Sequence, residues 1–202
     1  MMKMKTFING PIETNTYLVW DEAALEAMIV DPGAENPLIA DEIAKLGLDP
    51  VYIVLTHGHR DHTEGIPYFR GLYPGIKLVA SRAERKLLME RHGSSQGGIS
   101  ADIEVRDGDE MKLGESLMRF VMTPGHTPGG MCVYFPEEQV LFSGDTLFFA
   151  SVGRTDLWGG SDEELIASLK KLMELFPDCV KVYPGHMKET TIGFERRYNP
   201  FV

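Results

Sequence analysis

Four short apolar segments of this chain each end in a polar loop that carries histidine or aspartate. Apolar runs of this kind, bounded by turn residues, are typical of buried β-strands. Because functional side chains concentrate in the loops at the ends of a rigid sheet, we expect the four loops to meet at one edge of the fold. The segments and their loops are residues 51–55 with 56–62, 120–122 with 123–126, 140–142 with 143–145, and 180–183 with 184–186.

The first of these loops contains the sequence His-x-His-x-Asp-His. His57 and His59 alternate, so both side chains can point the same way from an extended loop. Asp61 and His62 follow one turn later and can face a second point close by. The spacing therefore predicts a metal site rather than a set of unrelated polar residues.

Five of the six histidines lie in the four loops, and this clustering changes how each of them is interpreted. Taken singly, His126 or His186 would be a capping or core histidine, and Asp145 would be a turn residue. Taken together, they form a candidate ligand set. His92, which lies outside the loops, is interpreted as a residue at the C-terminus of a helix, where it favours the helix dipole.

The candidate ligands are imidazoles and carboxylates, which suit Zn²⁺, Fe²⁺ or Mn²⁺. Seven ligands are too many for one tetrahedral ion, so we expect two ions, a bridging carboxylate and hydrolytic chemistry. Neither a Gly-x-Ser-x-Gly nucleophile motif nor a P-loop competes with this interpretation. The predicted ligands are His57, His59, Asp61, His62, His126, Asp145 and His186, of which Asp61 and Asp145 are also assigned to catalysis.

Composition argues against several other classes of protein. Lys and Arg total 20 while Asp and Glu total 30, and the net charge of -10 disfavours a nucleic-acid partner. No apolar run approaches the roughly 20 residues of a membrane span, and the first ten residues lack the apolar core of a signal peptide. Cys132 and Cys179 have no zinc-ligand spacing. We therefore expect a cytoplasmic protein without a membrane or nucleic-acid partner.

The rest of the sequence mixes strand and helix patterns, which predicts an α/β or α+β layered domain with the helices outside. One helix is expected to begin after Asn36 and to end at Gly47. Capping boxes, in which Ser is followed three residues later by Glu, predict helices that begin at Ser81 and Ser161. These helices are expected to end near residues 92–93 and 176, and the Gly- and Ser-rich residues 93–100 to form a surface loop.

Over nearly its whole length, the sequence resembles the metallo-β-lactamase-fold hydrolases. The resemblance rests on the four loops together with residues 14–18 (TNTYL) and 31–33 (DPG). It implies a four-layer αββα sandwich in which residues 1–202 form a single domain. It also implies a dinuclear metal site at one edge of the paired sheets.

Within this superfamily, the chain is most similar to the short, single-domain glyoxalase-II-like thioesterases. The matching segments are residues 123–129 (TPGHTPG), 143–148 (SGDTLF) and 190–201. The resemblance implies hydrolysis of an anionic thioester such as S-lactoylglutathione, by attack of a hydroxide held between two metals, which we expect to be zinc. It also implies a first metal on His57, His59 and His126, a second on Asp61, His62 and His186, and a bridge by Asp145.

Departures from the longer glyoxalase II enzymes leave alternatives open. Only 16 residues follow His186, so we expect no C-terminal glutathione-binding helical domain. The Gly-Arg-Thr-Asp sequence at residues 153–156 also occurs in persulfide dioxygenases, which share the fold but use one iron. A mononuclear iron persulfide dioxygenase is therefore the alternative function, followed by a lactone hydrolase. Met187 replaces a residue that is usually Gly, which predicts a differently shaped loop.

Basic side chains are the candidates for binding an anionic substrate. Arg154 presents a planar fork that suits a carboxylate, although a structural pair with Asp156 is the favoured interpretation. Arg196 and Arg197 are further candidates. Phe148, Phe149 and Trp158 are expected to fill the core rather than a pocket.

Overall fold

A computed structural model describes residues 1–90 and 98–202, and within these ranges two six-stranded sheets stack face to face. In the first sheet the strands lie in chain order: β1 (Met2–Asn9), β2 (Thr14–Asp21), β3 (Glu26–Val30), β4 (Asp49–Val54), β5 (Lys77–Ser81) and β6 (Ile103–Val105). The second sheet has the order β14-β13-β10-β9-β8-β7. Its strands are β7 (Glu110–Leu113), β8 (Ser116–Met122), β9 (Met131–Phe135), β10 (Val140–Gly144), β13 (Lys181–Pro184) and β14 (Thr190–Thr191). A small hairpin is formed by β11 (Leu147–Phe148) and β12 (Ser151–Val152).

Helices cover the outer faces of the two sheets, and their ends follow local capping rules. The helices are α1 (Pro37–Leu46), α2 (Arg60–Thr63), α3 (Ile66–Leu72), α4 (Arg85–Met89), α5 (Asp162–Leu175) and α6 (Ile192–Tyr198), of which α2 lies in the ligand loop after β4 and not on a sheet face. The Asn36 side chain accepts a hydrogen bond from the Leu38 N–H, and Gly47 ends α1 with a φ of 66°. The Ser161 side chain accepts from the Glu164 N–H. The helix ends predicted at Asn36, Gly47 and Ser161 are thus confirmed.

Three apolar clusters hold the four layers together. The cluster between the sheets contains Val30 and Val54 from the first sheet and Phe120 and Phe142 from the second. A second cluster joins α1 and α3 to the first sheet, and a third joins α5 to the second sheet through Leu165, Leu169 and Leu172. Burying each such side chain stabilises the fold by about 1.5–3 kcal/mol. The predicted αββα sandwich is therefore confirmed.

The segment that begins at Ser81 differs from the predicted helix. Ser81 accepts a hydrogen bond from the Ala83 N–H, but the chain forms a short 3₁₀ turn (Arg82–Glu84) before α4, and α4 has only five residues. The Glu84 side chain accepts from groups in two distant loops instead of completing a capping box. His92 and residues 93–97, which were predicted to end the helix and open a surface loop, lie outside the described residues.

Four strands deliver their carboxyl ends to one edge of the sandwich. Strands β10 and β13 are parallel, and β8 runs in the same direction because β8 and β10 both pair antiparallel with β9. The end of β4 reaches the same edge, where the Thr56 carbonyl accepts from the Met131 N–H at 2.9 Å. The predicted convergence of the four loops is therefore present in the structure.

Two further expectations concern membranes and cysteines. None of the helices in residues 1–90 and 98–202 has the length and apolarity needed to cross a lipid bilayer. Both cysteines are free thiols, with Cys132 buried and Cys179 exposed.

Candidate metal centre

Among the described residues, three overlapping groups of side chains could hold a metal ion, and two of them contain only predicted ligands. The third, Asp31 with His57 and His62, shares its histidines with these two. The first of the two ligand groups consists of His57, His59 and His126. One nitrogen of each imidazole lies within 4.8 Å of the other two. The shortest separation is 2.9 Å, between His59 Nδ1 and His126 Nε2. Two loops from different sheets therefore bring three imidazole nitrogens to one point.

The second group consists of Asp61, His62 and His186, and it is equally compact. Asp61 Oδ2 lies 3.2 Å from Nε2 of His62 and 3.2 Å from Nε2 of His186. The two Nε2 atoms are 3.4 Å apart. Nitrogen and oxygen atoms of this kind suit a second divalent ion.

Asp145 lies between the two groups. Its Oδ2 is 3.5 Å from His126 Nε2 in the first group and 3.6 Å from His186 Nε2 in the second. Its Oδ1 is 3.4 Å from His62 Nε2. This is the place that a bridging carboxylate would occupy, and the structure thus brings all seven predicted residues together.

Hydrogen bonds behind the imidazoles fix which ring nitrogen faces the centre. The His126 Nδ1 lies 2.6 Å from the Arg154 carbonyl oxygen, which can only accept, so Nδ1 carries the proton. The His62 Nδ1 donates in the same way to Asp31 Oδ2 at 3.0 Å. In the neutral form of both rings, the second nitrogen, Nε2, would have a free lone pair directed at the centre.

His57 is oriented through a relay that also ends on Asp31. The Thr56 hydroxyl donates to Asp31 Oδ2 at 2.6 Å, so it is free to accept from His57 Nδ1 at 3.1 Å. The Thr56 N–H donates to the other carboxylate oxygen, Oδ1, at 2.8 Å. Asp31 and Thr56 therefore support two predicted ligands. This role was not predicted, because Asp31 was identified only as part of the Asp-Pro-Gly segment that carries the family resemblance.

Glycines next to the ligands allow the loops to pack closely. Gly144 has a φ of +50°, and a Cβ there would overlap the Thr56 side chain. A Cβ on Gly185 would overlap the Asp145 carboxylate and the His62 ring. Gly144, which precedes Asp145, and Gly185, which precedes His186, thus occupy positions where a larger side chain would not fit.

The loop that carries His186 is anchored to strand β2. The Asn15 amide donates to the carbonyl oxygens of Pro184 at 3.0 Å and Met187 at 2.8 Å, and the Tyr17 hydroxyl donates to Pro184 at 2.6 Å. Met187 has a φ of 68°, in the left-handed region that favours Gly. Met187 thus adopts a backbone conformation that Gly adopts more readily, and the differently shaped loop stays a prediction.

Charges in the centre follow from burial and from the neighbouring groups. Burial, reinforced by the His126 imidazole, lowers the pKa of His59 to about 4. Burial and the surrounding histidines also hold the pKa of His57 well below its usual value. Burial opposes ionisation of Asp145, but the neighbouring His62 and His126 outweigh it and lower its pKa. Burial opposes protonation of His62 and His186, but the neighbouring carboxylates outweigh it and raise the pKa of both. Neutral imidazoles and ionised carboxylates are the forms that bind metal, so binding at the second group would displace protons.

Two buried atoms show that the centre fits a cation. His57 Nε2 and Asp145 Oδ1 are buried and have no hydrogen-bond partner among the described residues. Leaving such an atom unpaired costs about 1–3 kcal/mol. A divalent ion accepts lone pairs from both kinds of atom, so the residues present fit one or more ions of the Zn²⁺, Fe²⁺ or Mn²⁺ type.

Comparison with known proteins agrees with this centre. The profile of the family described as Metallo-beta-lactamase superfamily matches residues 9–186. The chain belongs to the metallo-beta-lactamase superfamily. All seven candidate ligands lie inside the matched range.

Several proteins resemble the chain along most of its length. The "Probable metallo-hydrolase YqgX" of Bacillus subtilis is 33% identical, with 100% of this chain and 98% of the relative covered. The human "Persulfide dioxygenase ETHE1, mitochondrial" is 35% identical, with 93% of this chain and 70% of the relative covered. An uncharacterized protein of Aquifex aeolicus is 37% identical, with 99% of this chain and 97% of the relative covered.

Solved structures of the superfamily share the fold closely. The BLEG-1 B3 metallo-beta-lactamase has a TM-score of 0.88 and 33% identity, with 98% of this chain and 99% of that chain covered. The protein TTHA1623, solved in a di-iron-bound form, has a TM-score of 0.84 and 32% identity, with 98% and 100% covered. These likenesses support a metal-binding enzyme of the superfamily.

A cavity of about 960 Å³ opens onto the metal centre of this superfamily member. Asp61, Asp145 and His186 lie in its wall, together with the apolar side chains of Ile8 and Phe148. Phe148 is buried and its ring meets the His186 ring edge-on, whereas Trp158 is 46% exposed, so the prediction that Trp158 fills the core is wrong.

Of the basic side chains predicted near the site, only Arg154 lines this cavity. Arg154 pairs with Asp156 through two contacts of 2.6 Å, and this pairing lowers the pKa of Asp156 to about 2. The prediction for Arg196 and Arg197 is wrong, because both guanidiniums pair with Asp178 beyond the end of α5. Two other cations, Arg60 and Lys188, lie in the cavity wall and were not predicted from the sequence.

Proposed function

We propose that this chain is a dinuclear metal-dependent hydrolase of thioesters, with an anionic thioester such as S-lactoylglutathione as its substrate. The observation that carries this proposal is the division of the ligands into two compact groups with Asp145 between them. One tetrahedral ion would leave three of the seven ligands unused. The two-group geometry is the arrangement that two-metal hydrolases require.

Each group has a defined role in this proposal. His57, His59 and His126 would hold the first ion, and Asp61, His62 and His186 the second, with Asp145 shared between them. Zinc is the proposed metal, with iron or manganese as alternatives, and TTHA1623 is a relative solved with two irons. When bound, two such ions lower the pKa of a water molecule and polarise a carbonyl oxygen.

The protein itself positions the reacting groups. Asp61 and Asp145 line the cavity, and we assign to their carboxylates the orientation of the attacking water. The Thr14 hydroxyl donates to Asp61 Oδ2 at 3.2 Å and so keeps that carboxylate directed at the second group. The apolar side chains of Ile8 and Phe148 line the cavity and would contact the apolar part of the thioester.

Arg154 is the proposed binding group for a substrate carboxylate. We expect Arg154→Ala to raise the KM for S-lactoylglutathione about 5- to 10-fold with kcat nearly unchanged, because an exposed charged contact contributes on the order of 1 kcal/mol. Asp156→Asn should lower KM, because it frees the guanidinium from its present partner. Steady-state kinetics measure both effects.

The matched control for this test is Arg197→Ala. Arg197 pairs with Asp178, so its loss should leave KM unchanged. Equal KM values for wild type and Arg154→Ala would show that the guanidinium does not bind substrate. The Arg154 carbonyl, which accepts from His126, is retained in every variant.

A persulfide dioxygenase is the second candidate function. The similarity to human ETHE1 supports it, as does the Gly-Arg-Thr-Asp sequence at residues 153–156. This chemistry uses one iron and O₂ and releases no thiol from a thioester. A lactone hydrolase that uses the same two groups is a third and weaker candidate.

A paired assay distinguishes the first two functions. The purified full chain, loaded with zinc or with iron, is tested for S-lactoylglutathione cleavage and for O₂ uptake with glutathione persulfide. Thioester cleavage without O₂ uptake supports the proposal. O₂ uptake without thioester cleavage contradicts it and supports the dioxygenase.

A further inference from the structure

We propose that Glu84 is a positioning residue that holds together the two loops carrying the first histidine group. The inference rests on the proposed metal centre and concerns a residue that contacts no substrate and binds no metal. Glu84 lies 27 positions after His57 in the sequence, in the 3₁₀ turn that precedes α4. Its side chain is nearly completely buried, with 1% exposed.

The two carboxylate oxygens of Glu84 bind different loops. Oε1 accepts from the Gly58 N–H at 2.9 Å, and Gly58 lies between His57 and His59. Oε2 accepts from the Thr127 hydroxyl at 3.1 Å, and Thr127 directly follows His126. One side chain therefore bonds to the immediate sequence neighbours of all three histidines of the first group.

These loops come from different sheets, which is why a connection between them matters. The first loop follows β4 in one sheet, and the second follows β8 in the other. The 2.9 Å separation between His59 Nδ1 and His126 Nε2 depends on how the two sheet edges approach each other. The Glu84 side chain connects the two loops directly behind the imidazoles.

The Glu84 carboxylate packs closely against the glycines of both loops, so its removal would leave a gap between them. A Cβ built on Gly58 would lie 3.2 Å from Glu84 Oε1, and a Cβ on Gly129 would overlap the Glu84 backbone nitrogen and Oε2. Removal of the carboxylate would therefore leave the Gly58 N–H and the Thr127 hydroxyl buried without a partner. The loops would have to shift to regain solvent or new acceptors.

Asp21 provides a matched control within the same fold. It is a fully buried carboxylate of the first sheet that accepts from the Ser116 hydroxyl of the second sheet at 3.1 Å. It also accepts from the N–H groups of Ala23 and Ala24. Asp21 ends β2, whereas the metal centre lies near Thr14 at the start of that strand. Its loss removes a comparable link between the sheets far from the ligands.

The test compares Glu84→Ala, Glu84→Gln and Asp21→Asn in the full chain. Zinc affinity is measured in competition with a chelator, and the visible spectrum of the Co²⁺-loaded protein reports ligand geometry. We expect Glu84→Ala to weaken binding of one zinc ion about 10- to 100-fold, to alter the Co²⁺ spectrum and to reduce kcat more than it changes KM. Glu84→Gln keeps one acceptor and should recover part of the affinity.

The control separates positioning from general stability. Asp21→Asn should lower the melting temperature but leave zinc affinity and the Co²⁺ spectrum as in the wild type. If Glu84→Ala does not fold, Glu84→Gln and Thr127→Val provide the same readouts. Wild-type zinc affinity and spectrum in the folded Glu84 variants would overturn the inference. Failure of the wild-type chain itself to bind metal would instead overturn the proposed metal centre.

Discussion

Replacement of Asp145 by asparagine is expected to reduce thioester hydrolysis about a thousandfold or more while the fold is retained. Asparagine has nearly the same shape but lacks the charge that the two ligand groups share. Metal-assisted stabilisation of transition-state charge is worth several kcal/mol, and about 1.4 kcal/mol corresponds to a factor of ten in rate. The fold should survive because Asp145 Oδ1 has no hydrogen-bond partner among the described residues.

The measurement is kcat/KM together with metal content and melting temperature. Asp41→Asn is the control, because Asp41 is an exposed carboxylate of α1 on the outer face of the first sheet. It should behave as the wild type in all three measurements. Near-normal hydrolysis by Asp145→Asn, at normal metal content, would exclude a central role for this carboxylate.

Replacement of Asp31 by asparagine is expected to affect stability and metal binding together. Its carboxylate accepts from the Thr56 N–H, the Thr56 hydroxyl and His62 Nδ1 while it is 1% exposed. In Asp31→Asn, the amide NH₂ group would face one of these donors and could not accept its hydrogen bond. The substitution would also remove the negative charge beside the buried His62 imidazole. We expect a loss of about 3 kcal/mol in the free energy of unfolding. Metal affinity should fall about 10- to 100-fold.

Asparagine suits this experiment because Asp31 has a φ of 50°, a conformation that asparagine also adopts without strain. The change therefore tests hydrogen bonding and charge rather than backbone geometry. Denaturant unfolding measures stability, and chelator competition measures metal affinity. Thr56→Val, which removes only the hydroxyl, should give a smaller loss of both. Unchanged metal affinity in Asp31→Asn would show that the orientation of His62 does not depend on this carboxylate.

The strands that end in ligand loops could be predicted from sequence because the signal is local. Each apolar run passes directly into a Gly, His or Asp, and parallel strands deliver such residues to the same edge. The supporting residues could not be predicted in this way. Asp31 and Thr56 are 25 positions apart, and they meet because β3 and β4 pair in parallel with Val30 opposite Val54.

Tertiary contacts also explain where the sequence predictions failed. Ser81 and Glu84 fit the pattern of a capping box, but the buried Gly58 N–H and Thr127 hydroxyl provide stronger partners for Glu84 than the local backbone does. Arg196 and Arg197 lie on α6, whose position is fixed by the buried Glu195 carboxylate, and this places both guanidiniums beside Asp178. Such outcomes depend on partners that are remote in sequence.

The central claim is that the two ligand groups bind two ions, and metal counting tests it most directly. The purified full chain is stripped of metal, saturated with zinc, freed of excess metal and then measured for zinc per chain, alongside His186→Ala. We expect two zinc ions in the wild type and one in His186→Ala, with thioester cleavage only in the wild type. Binding of only one zinc ion per wild-type chain, with the same zinc content in His186→Ala, would contradict the two-ion centre.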